Sequence, residues 1–595
     1  MRFSLIGCAG GVVGLVLLTT AAGRPGPLWR FEARSIDGRG NNLAHPEWGA
    51  ASTPVMRMCT AMYADGMAAP AGDDRPGARI VSNMVCAQTA SRPNSSGATD
   101  FIWQWGQFID HDITLIDAAQ PLEHFNIPVP AGDPFFDPAG TGNAVIPLDR
   151  SEYDPASGDS PGNPRQQMQL LTSFVDGSMV YGADAVRAAA LRANDGTGRL
   201  KTSDGDLLPY NVPGLPNFGG PSPELFLAGD IRANEQASLT VMHTLWVREH
   251  NAWADHFRAR HPRLDGDEIY ELARRWVGAE IQAITYYEFL PLLLGPEALP
   301  EYRGYDPDVN PTIANEFAAA AYRVGHTLLS PVIRRREADG STSIHGDLPL
   351  RNAFFALHVL TDEGGLEPIL RGLAAQPAQD IDRFVIDDVR NFLFGPPGAG
   401  GFDLPSLNIQ RGRDHGLPGY NQLRAELGLE PADDFSDISA DPAVQQALEA
   451  AYGDVDKIDL WVGGISEDHM PGAMVGEVLM TIIGDQFARL RDGDRFWFEG
   501  QFGGEDLQQL RRTRLADVIR RNTDIGDEIQ DDVFHLPPSC PGDVNDDAAV
   551  DVSDVLAILL AVGTADGDAD LNHDGVVNVA DLLLVLRSIG PCESD

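Results

Sequence analysis

The chain has 595 residues and a mass of 64.2 kDa, too long for one ordinary hydrophobic core, so two or more domains are expected. Its 43% hydrophobic and 22% charged residues are globular values, which exclude wholesale disorder and a multi-span membrane protein. With 44 Lys+Arg against 87 Asp+Glu the formal net charge is −43, a field that repels nucleic-acid phosphates, that no basic stripe offsets, and that suits solubility in an exposed compartment or the binding of cations.

Residues 1–22 read as a signal peptide: one early Arg, an apolar block from Gly11 to Leu18, then small residues through Gly23. The competing reading is an N-terminal anchor helix from Phe3 to Gly23, but the apolar block is short and the Thr-Ala-Ala boundary fits cleavage. The expected product is secreted, with no membrane span after signal removal. Cys8 leaves with the signal. Cys59, Cys86, Cys540 and Cys592 remain as two local pairs, an even count that permits disulfides without fixing their pairing. A Cys540–Cys592 clasp is the preferred arrangement.

Between the signal and the C-terminal segment the periodicity is mostly helical, without sustained period-2 strands, so 23–535 is expected to be one large α-domain. Phe101 to Asp112 reads as a helix that places Gln107, Asp110 and His111 on one face, an amide, a carboxylate and an imidazole in an aromatic setting. In Arg232, Glu235 and Gln236 the same i, i+3, i+4 spacing recurs, provided the segment opens the following helix. Asp267 to Leu290 is expected to be a helix, capped by Asp265 and Glu268. His326 lies in a helical apolar context, where a satisfied core histidine is the commoner outcome. Gly395 to Gly401 marks a loop. Leu407 to Gly416 is a polar run with two arginines and no obvious helical phase.

The last segment carries an internal repeat. Asp543, Asn545, Asp547, Asp551 and Asp554 occupy positions 1, 3, 5, 9 and 12 of one loop, and Asp570, Asn572, Asp574, Asn578 and Asp581 the same positions of a second, 27 residues on (570 − 543). Oxygen ligands at this spacing suit Ca2+. Gly575 sits at the sharp-turn position of the second loop and Ala548 replaces it in the first, which should weaken that site. Apolar helices, Val555–Val562 and Leu582–Ile589, follow. Residues 540–595 hold twelve Asp/Glu and one Arg, so part of the acidic excess is local.

This repeat resembles a type I dockerin over residues 540–592, which implies a small all-α module of paired calcium loop–helix units and a cohesin-like partner. The motifs W-G-Q-F-x-D-H-D, L-T-S-F-V-D-G-S-M-V-Y-G, R-A-N-E, R-x-G-H and L-N-x-Q-R-x-R-D-H-G, in that order over about residues 40–535, resemble the animal-type haem peroxidases (peroxidase–cyclooxygenase superfamily). That resemblance implies a mainly α fold, haem b, and reduction of H2O2 with oxidation of bromide, iodide, thiocyanate or phenolic donors.

Carried over residue by residue, it implies His111 as distal base, Gln107 as its hydrogen-bonding neighbour and Arg232 as distal arginine. His326 would ligate the haem iron with Asn408 as its hydrogen-bond partner, Arg411 would pair with a propionate, and Asp110 and Glu235 match the carboxylates ester-linked to haem in vertebrate members. Asp112, Thr172, the carbonyl of Phe174, Asp176 and Ser178 match the family's Ca2+ site, which would pin the distal helix. Gln236 stands where the chloride-specialised member has Met, which weighs against chloride as donor. Two alternatives are a fatty-acid oxygenase, for which Tyr322 stands four residues before His326 and not three, and a non-catalytic matrix or binding protein, which retention of Gln107, His111, Arg232 and His326 opposes.

Overall fold

The computed structural model describes residues 32–537, 542–545, 549–564, 569–572 and 576–591. The expected signal 1–22, Cys540, Cys592, Asp547, Ala548, Asp574 and Gly575 lie outside the described residues. Helices dominate, and the strands seen are short antiparallel pairs such as Thr53–Pro54 with Met168–Gln169 and Val332–Ile333 with Leu348–Pro349. The mainly α expectation is met.

Helix Phe101–Ile113 is central. Phe101, Trp105, Phe108, Ile109 and Ile113 are fully buried, on more than one face, as expected of a helix enclosed by others. Each buried Phe there contributes about 1.5–3 kcal/mol. Trp105 and Phe108 meet Trp246 at ring separations of 5.8 and 6.2 Å, which docks the helix against Ala237–Arg260. That long helix packs in turn on Gly266–Ile284, whose start has a full capping box between Asp265 and Glu268.

The expected single helix to Leu290 is interrupted. Thr285–Phe289 widens into a π-helical stretch before Leu290–Leu294. Pro291 has no N–H to return to residue 287, and the widened turn falls just before it. As a result Tyr286 is buried while Tyr287 is exposed.

Two other expectations change. Residues 229–236 are not helical. Gln236 is extended (φ −145°) and is the N-cap of the helix that begins at Ala237, its side chain accepting from Ser238 N–H. Conversely, the polar run lies largely on a regular helix, Leu404–Asp414, capped by Asp403 with Pro405 in its first turn. Cys59 and Cys86 are free, buried thiols and not a disulfide. The Cys59 amide is tied to the Glu316 carboxylate, whereas Cys86 caps helix Ala78–Val85 and bonds to Val385, so different elements fix the two.

In the C-terminal segment Val550, Ile558, Ala569, Val577 and Val585 form a core of their own. Its helices are Val552–Ala561 and Val579–Arg587, each starting three residues earlier than expected. Asp551 and Asn578 are N-caps, and Asp554 and Asp581 complete capping boxes. Asp554 Oδ1 also accepts from the amides of Val544 and Asn545 at 2.7 and 3.2 Å. Asp581 Oδ1 accepts from Asn572 N–H at 3.1 Å. The sequence repeat is therefore a repeat of hydrogen bonds as well.

Candidate active site

A cavity of about 340 Å3 lies between helix Phe101–Ile113 and the segments 232–236, 318–329 and 404–415. Gln107, Asp110, His111, Arg232, Glu235, Gln236, His326 and Arg411 all line it. Asn408 stands behind His326. Leu293, Leu328, Leu329, Leu350, Phe354 and Leu407 supply apolar wall, as expected of a pocket for a flat organic cofactor.

Near His111, Arg232 is held by four hydrogen bonds, which leave one Nη1–H of its five donors over. Its Nε and Nη2 donate to Asp230 Oδ1 and Oδ2, both at 2.9 Å, its Nη1 to Asp110 Oδ2 at 3.1 Å, and its Nη2 to the Thr114 carbonyl at 2.8 Å. Burial opposes the ionised Asp230, but the Arg232 charge and the hydrogen bonds from its side chain and backbone N–H outweigh it and hold the carboxyl well below its usual range. Bidentate, charge-assisted pairing of this kind fixes both the charge and the plane of the guanidinium. His111 is 2% exposed. Burial, then Arg232, push its pKa far down, so it is a neutral imidazole able to take a proton. Its Nδ1 stands 3.6 Å from Asp230 Oδ1, beyond hydrogen-bond range, and has no partner among the described residues.

Gln107 bridges two neighbours. It donates to Glu235 Oε1 at 3.3 Å, and its own oxygen accepts from Gln236 Nε2 at 3.1 Å. Gln236 donates also to Gln104. Burial raises Glu235 to about 7, and Arg232 opposes the shift. Burial likewise raises Asp110, whose carboxylate accepts from the Thr114 hydroxyl. Both carboxyls sit on the cavity wall.

A second element of the cavity wall carries His326 at the end of a 3-10 turn, Ala321–His326. Burial and then Arg323 lower its pKa to about 3. Asn408 Nδ2 lies 2.8 Å from His326 Nδ1, and Asn408 Oδ1 accepts from Arg323 Nη1 at 3.3 Å. In this orientation the ring proton sits on Nε2. A half-turn of the amide would present Oδ1 to an Nδ1–H and free the Nε2 lone pair. Arg411 donates to the Asp149 carbonyl, Ser151 Oγ and Asp414 Oδ2 at 2.7–3.0 Å.

Asp112, next to His111, points away from the cavity cluster into the loop 172–178. Its Oδ2 accepts from the amides of Asp176 and Gly177, and Ser178 Oγ donates to its carbonyl. Thr172 Oγ1 donates to Asp176 Oδ2 at 3.1 Å. Thr172, Phe174, Asp112, Asp176 and Ser178 are all buried, and Asp112 Oδ1 has no hydrogen-bond partner among the described residues. Burial, then the Asp176 charge, raise the Asp112 carboxyl. A buried carboxylate oxygen left unpaired beside a second carboxylate is costly unless a cation or proton completes it. Among the described residues no group of three or more His, Cys, Asp or Glu side chains is placed to hold a metal; this loop would rely on hydroxyl and carbonyl oxygens besides its two carboxylates.

Asp230, Arg323 and Gln104 were not singled out in the sequence. Asp230 had a local signal, two residues before Arg232. Arg323 meets Asn408, and Gln104 meets Gln236, only through contacts distant in the chain.

A helical shell enclosing a cavity lined by two neutral imidazoles, His111 and His326, and by an arginine locked among carboxylates suits a protein built around a redox cofactor. Residues 33–534 match the family model for animal haem peroxidase, and the chain belongs to that family. It is 38% identical to peroxinectin A of Dictyostelium discoideum over 84% of this chain and 96% of that protein. Pig thyroid peroxidase is 37% identical, covering 82% of this chain and 59% of that one. Drosophila melanogaster peroxidasin is 37% identical over 84% of this chain but 36% of its own length, so the chain spans only part of those larger relatives. Among solved structures, peroxidase A of Dictyostelium discoideum superposes with a TM-score of 0.78 at 36% identity, covering 85% of this chain and 100% of that one. A rice fatty acid alpha-dioxygenase shares the fold at 22% identity, with a TM-score of 0.72 over 86% of this chain and 88% of its own. The chain is thus an oxidoreductase of the haem peroxidase class.

Proposed function

We propose that the protein is a secreted, calcium-dependent peroxidase that reduces H2O2 and oxidises bromide, iodide, thiocyanate or small phenols. The observation that carries this is His111 and His326 lining one cavity from two different elements, with Arg232 braced near the first and Asn408 against the second. The residues fit haem b: the cavity is largely apolar, and His326 is neutral, the form that binds iron. When bound, haem supplies the two-electron redox chemistry that side chains lack.

The protein's part is then acid–base and electrostatic. His326 would hold the iron, with Asn408 turned to accept from Nδ1–H. Neutral His111 would take a proton from the bound peroxide and return it to the departing oxygen. Arg232 would stabilise negative charge as the O–O bond breaks, its position fixed by Asp230. Gln107 would orient solvent or peroxide beside His111. Arg411 would pair with a haem propionate, and Asp110 and Glu235, both raised towards the protonated form, are the candidates for ester bonds to haem. Asp112, Thr172, Phe174, Asp176 and Ser178 would bind Ca2+, which would complete the unpaired Asp112 Oδ1.

Residues 23–535 would form the peroxidase domain and 540–592 a dockerin-like module. In the latter two Ca2+ would take Asp543, Asn545, Asp547, Asp551 and Asp554, and Asp570, Asn572, Asp574, Asn578 and Asp581. Leu556, Leu559, Leu560 and Leu583 are more than half exposed on its helices, an apolar surface suited to a cohesin-like partner.

The test is to express residues 24–595 with haem and Ca2+, then record the Soret band and iodide or bromide oxidation by H2O2. His111→Ala should keep the Soret band and lose turnover. Failure of the wild type to take up haem, or full turnover in His111→Ala, would overturn the reading.

A further inference from the structure

Tyr322 lines the cavity beside His326, and from it a run of aromatic rings leads outward. Tyr322 lies 5.6 Å from Phe487, Phe487 5.9 Å from Tyr286, and Tyr286 4.7 Å from Trp497. Trp497 lies 4.9 Å from Phe498, and Phe498 6.0 Å from Tyr287. Tyr287 is 41% exposed. Tyr286, buried, and Tyr287, at the surface, both belong to the π-helical stretch 285–289 and are joined in this run through Trp497 and Phe498.

The hydrogen bonds along the run give it a direction. A tyrosine that loses an electron becomes strongly acidic and keeps the radical only if a base takes its proton. The hydroxyl of Tyr322 and the indole N–H of Trp497 are buried without partners among the described residues. Tyr286 donates to the Phe487 carbonyl, a very weak base, at 2.7 Å. Tyr287 donates to the Glu499 carboxylate, which Arg511 holds from the other side. The inner groups can therefore pass an electron vacancy on but cannot retain it, whereas Tyr287 can.

We propose that Tyr287 is a second, surface site of donor oxidation, serving phenols too large to enter the cavity, such as tyrosine side chains of other macromolecules. The proposal rests on the peroxidase reading above. An electron leaves Tyr287 inward through Trp497, Tyr286 and Tyr322 to the haem that H2O2 has oxidised, and the phenolic proton passes to Glu499. The Tyr287 radical then takes a hydrogen atom from the donor, ArOH, which leaves as ArO•, and Glu499 releases its proton to solvent. Two such events balance one peroxide: H2O2 + 2 ArOH → 2 H2O + 2 ArO•.

The test uses the full-length holoenzyme with H2O2 and a nitroso radical trap, followed by peptide mass mapping, together with two donors: iodide and tyramine coupled to dextran. A trap adduct is expected on Tyr287, absent in Tyr287→Phe and diminished in Glu499→Gln. Tyr287→Phe should lose dextran–tyramine oxidation about tenfold or more while iodide oxidation stays at the wild-type rate. Wild-type dextran–tyramine oxidation in Tyr287→Phe, or no adduct on Tyr287 in an enzyme that turns over iodide, would overturn the proposal. A wild type that oxidises neither donor would instead overturn the peroxidase reading.

Discussion

Asp230 grips Arg232 through both carboxylate oxygens, each at 2.9 Å, and its Oδ1 stands 3.6 Å from His111 Nδ1. One buried anion thus sets the position of the arginine and the electrostatic environment of the imidazole. Asp230→Asn should retain haem, seen as an unchanged Soret band, yet slow the reaction with H2O2. In stopped-flow mixing the expected loss is about 10–100-fold, the usual cost of removing a positioning partner. An unchanged rate would show that Asp110 and Thr114 alone suffice to orient Arg232.

Asn408 is the shared partner of His326 and Arg323. If His326 holds the haem iron as proposed, the amide oxygen of Asn408 would face His326 Nδ1–H, which would turn the amide nitrogen towards Arg323, a donor facing a donor. Arg323→Gln should relieve that opposition without removing Asn408. Asn408→Ala should lower haem affinity about 10–100-fold, measured by haem transfer to an apo-globin. His326→Ala should abolish haem uptake.

The structural support of Asn408 lies further back. Arg79, fully buried, donates to Asp133 and Asp403 at 2.8 Å and to Asn391 Oδ1 at 2.8 Å. Asp403 is the N-cap of helix Leu404–Asp414, which carries Asn408 and Arg411. Arg79→Met leaves these carboxylates buried without their cation and should cost about 3–5 kcal/mol in urea unfolding. Burial opposes ionised Asp133, but its bonds from Arg79, Phe136 N–H and Asn83 win and depress its pKa. Its contribution is therefore fully present above the unfolded-state value and is lost as pH falls through the folded one. The wild type should lose stability in acid more steeply than Arg79→Met.

Glu288, in the π-helical stretch, shifts the other way. Burial raises it to about 8, and one carboxyl oxygen is buried without a partner among the described residues. The folded state then binds more protons than the unfolded one between the unfolded value near 4.5 and about 8, so stability falls with pH across that window. Glu288→Gln should melt at a higher temperature than wild type at pH 8–9, with the gap closing towards pH 4. A gap independent of pH would assign the effect to packing and not to charge.

Chelation tests the proposed Ca2+ site in the loop 172–178, next to His111. With Asp112 Oδ1 unpaired among the described residues and Asp176 close by, strong chelators should lower Tm and weaken the Soret band together, because His111 and Asp112 are adjacent. Asp112→Asn should reproduce both effects without chelator. The same treatment should make residues 540–592 sensitive to protease if the repeated loops bind Ca2+ as proposed, since ion binding would hold each acidic loop closed.

Much of the site could be read from the chain. Gln107, Asp110 and His111 share a helix, so their common face followed from helical spacing alone. The segment 229–236 misled because its spacing imitates a helix; Gln236 is instead a cap, and the cavity residues come together by a turn. The run 404–414 misled in reverse, its polar composition hiding a helix that Asp403 and Pro405 signal at its start. The even cysteine count left the pairing open, and Cys59 and Cys86 are free thiols anchored to different elements.

Most of the residues that line the cavity, the helical class and the acidic loop–helix repeat were legible in the chain, because each is written in short motifs or a local period. Only the tertiary structure decided that Asp230 braces Arg232, that Asn408 mediates between Arg323 and His326, and that Tyr322 and Tyr287 are ends of one aromatic run. The Asn408 and aromatic relationships join residues far apart in the chain, and their geometry is set by core packing, which no local pattern encodes.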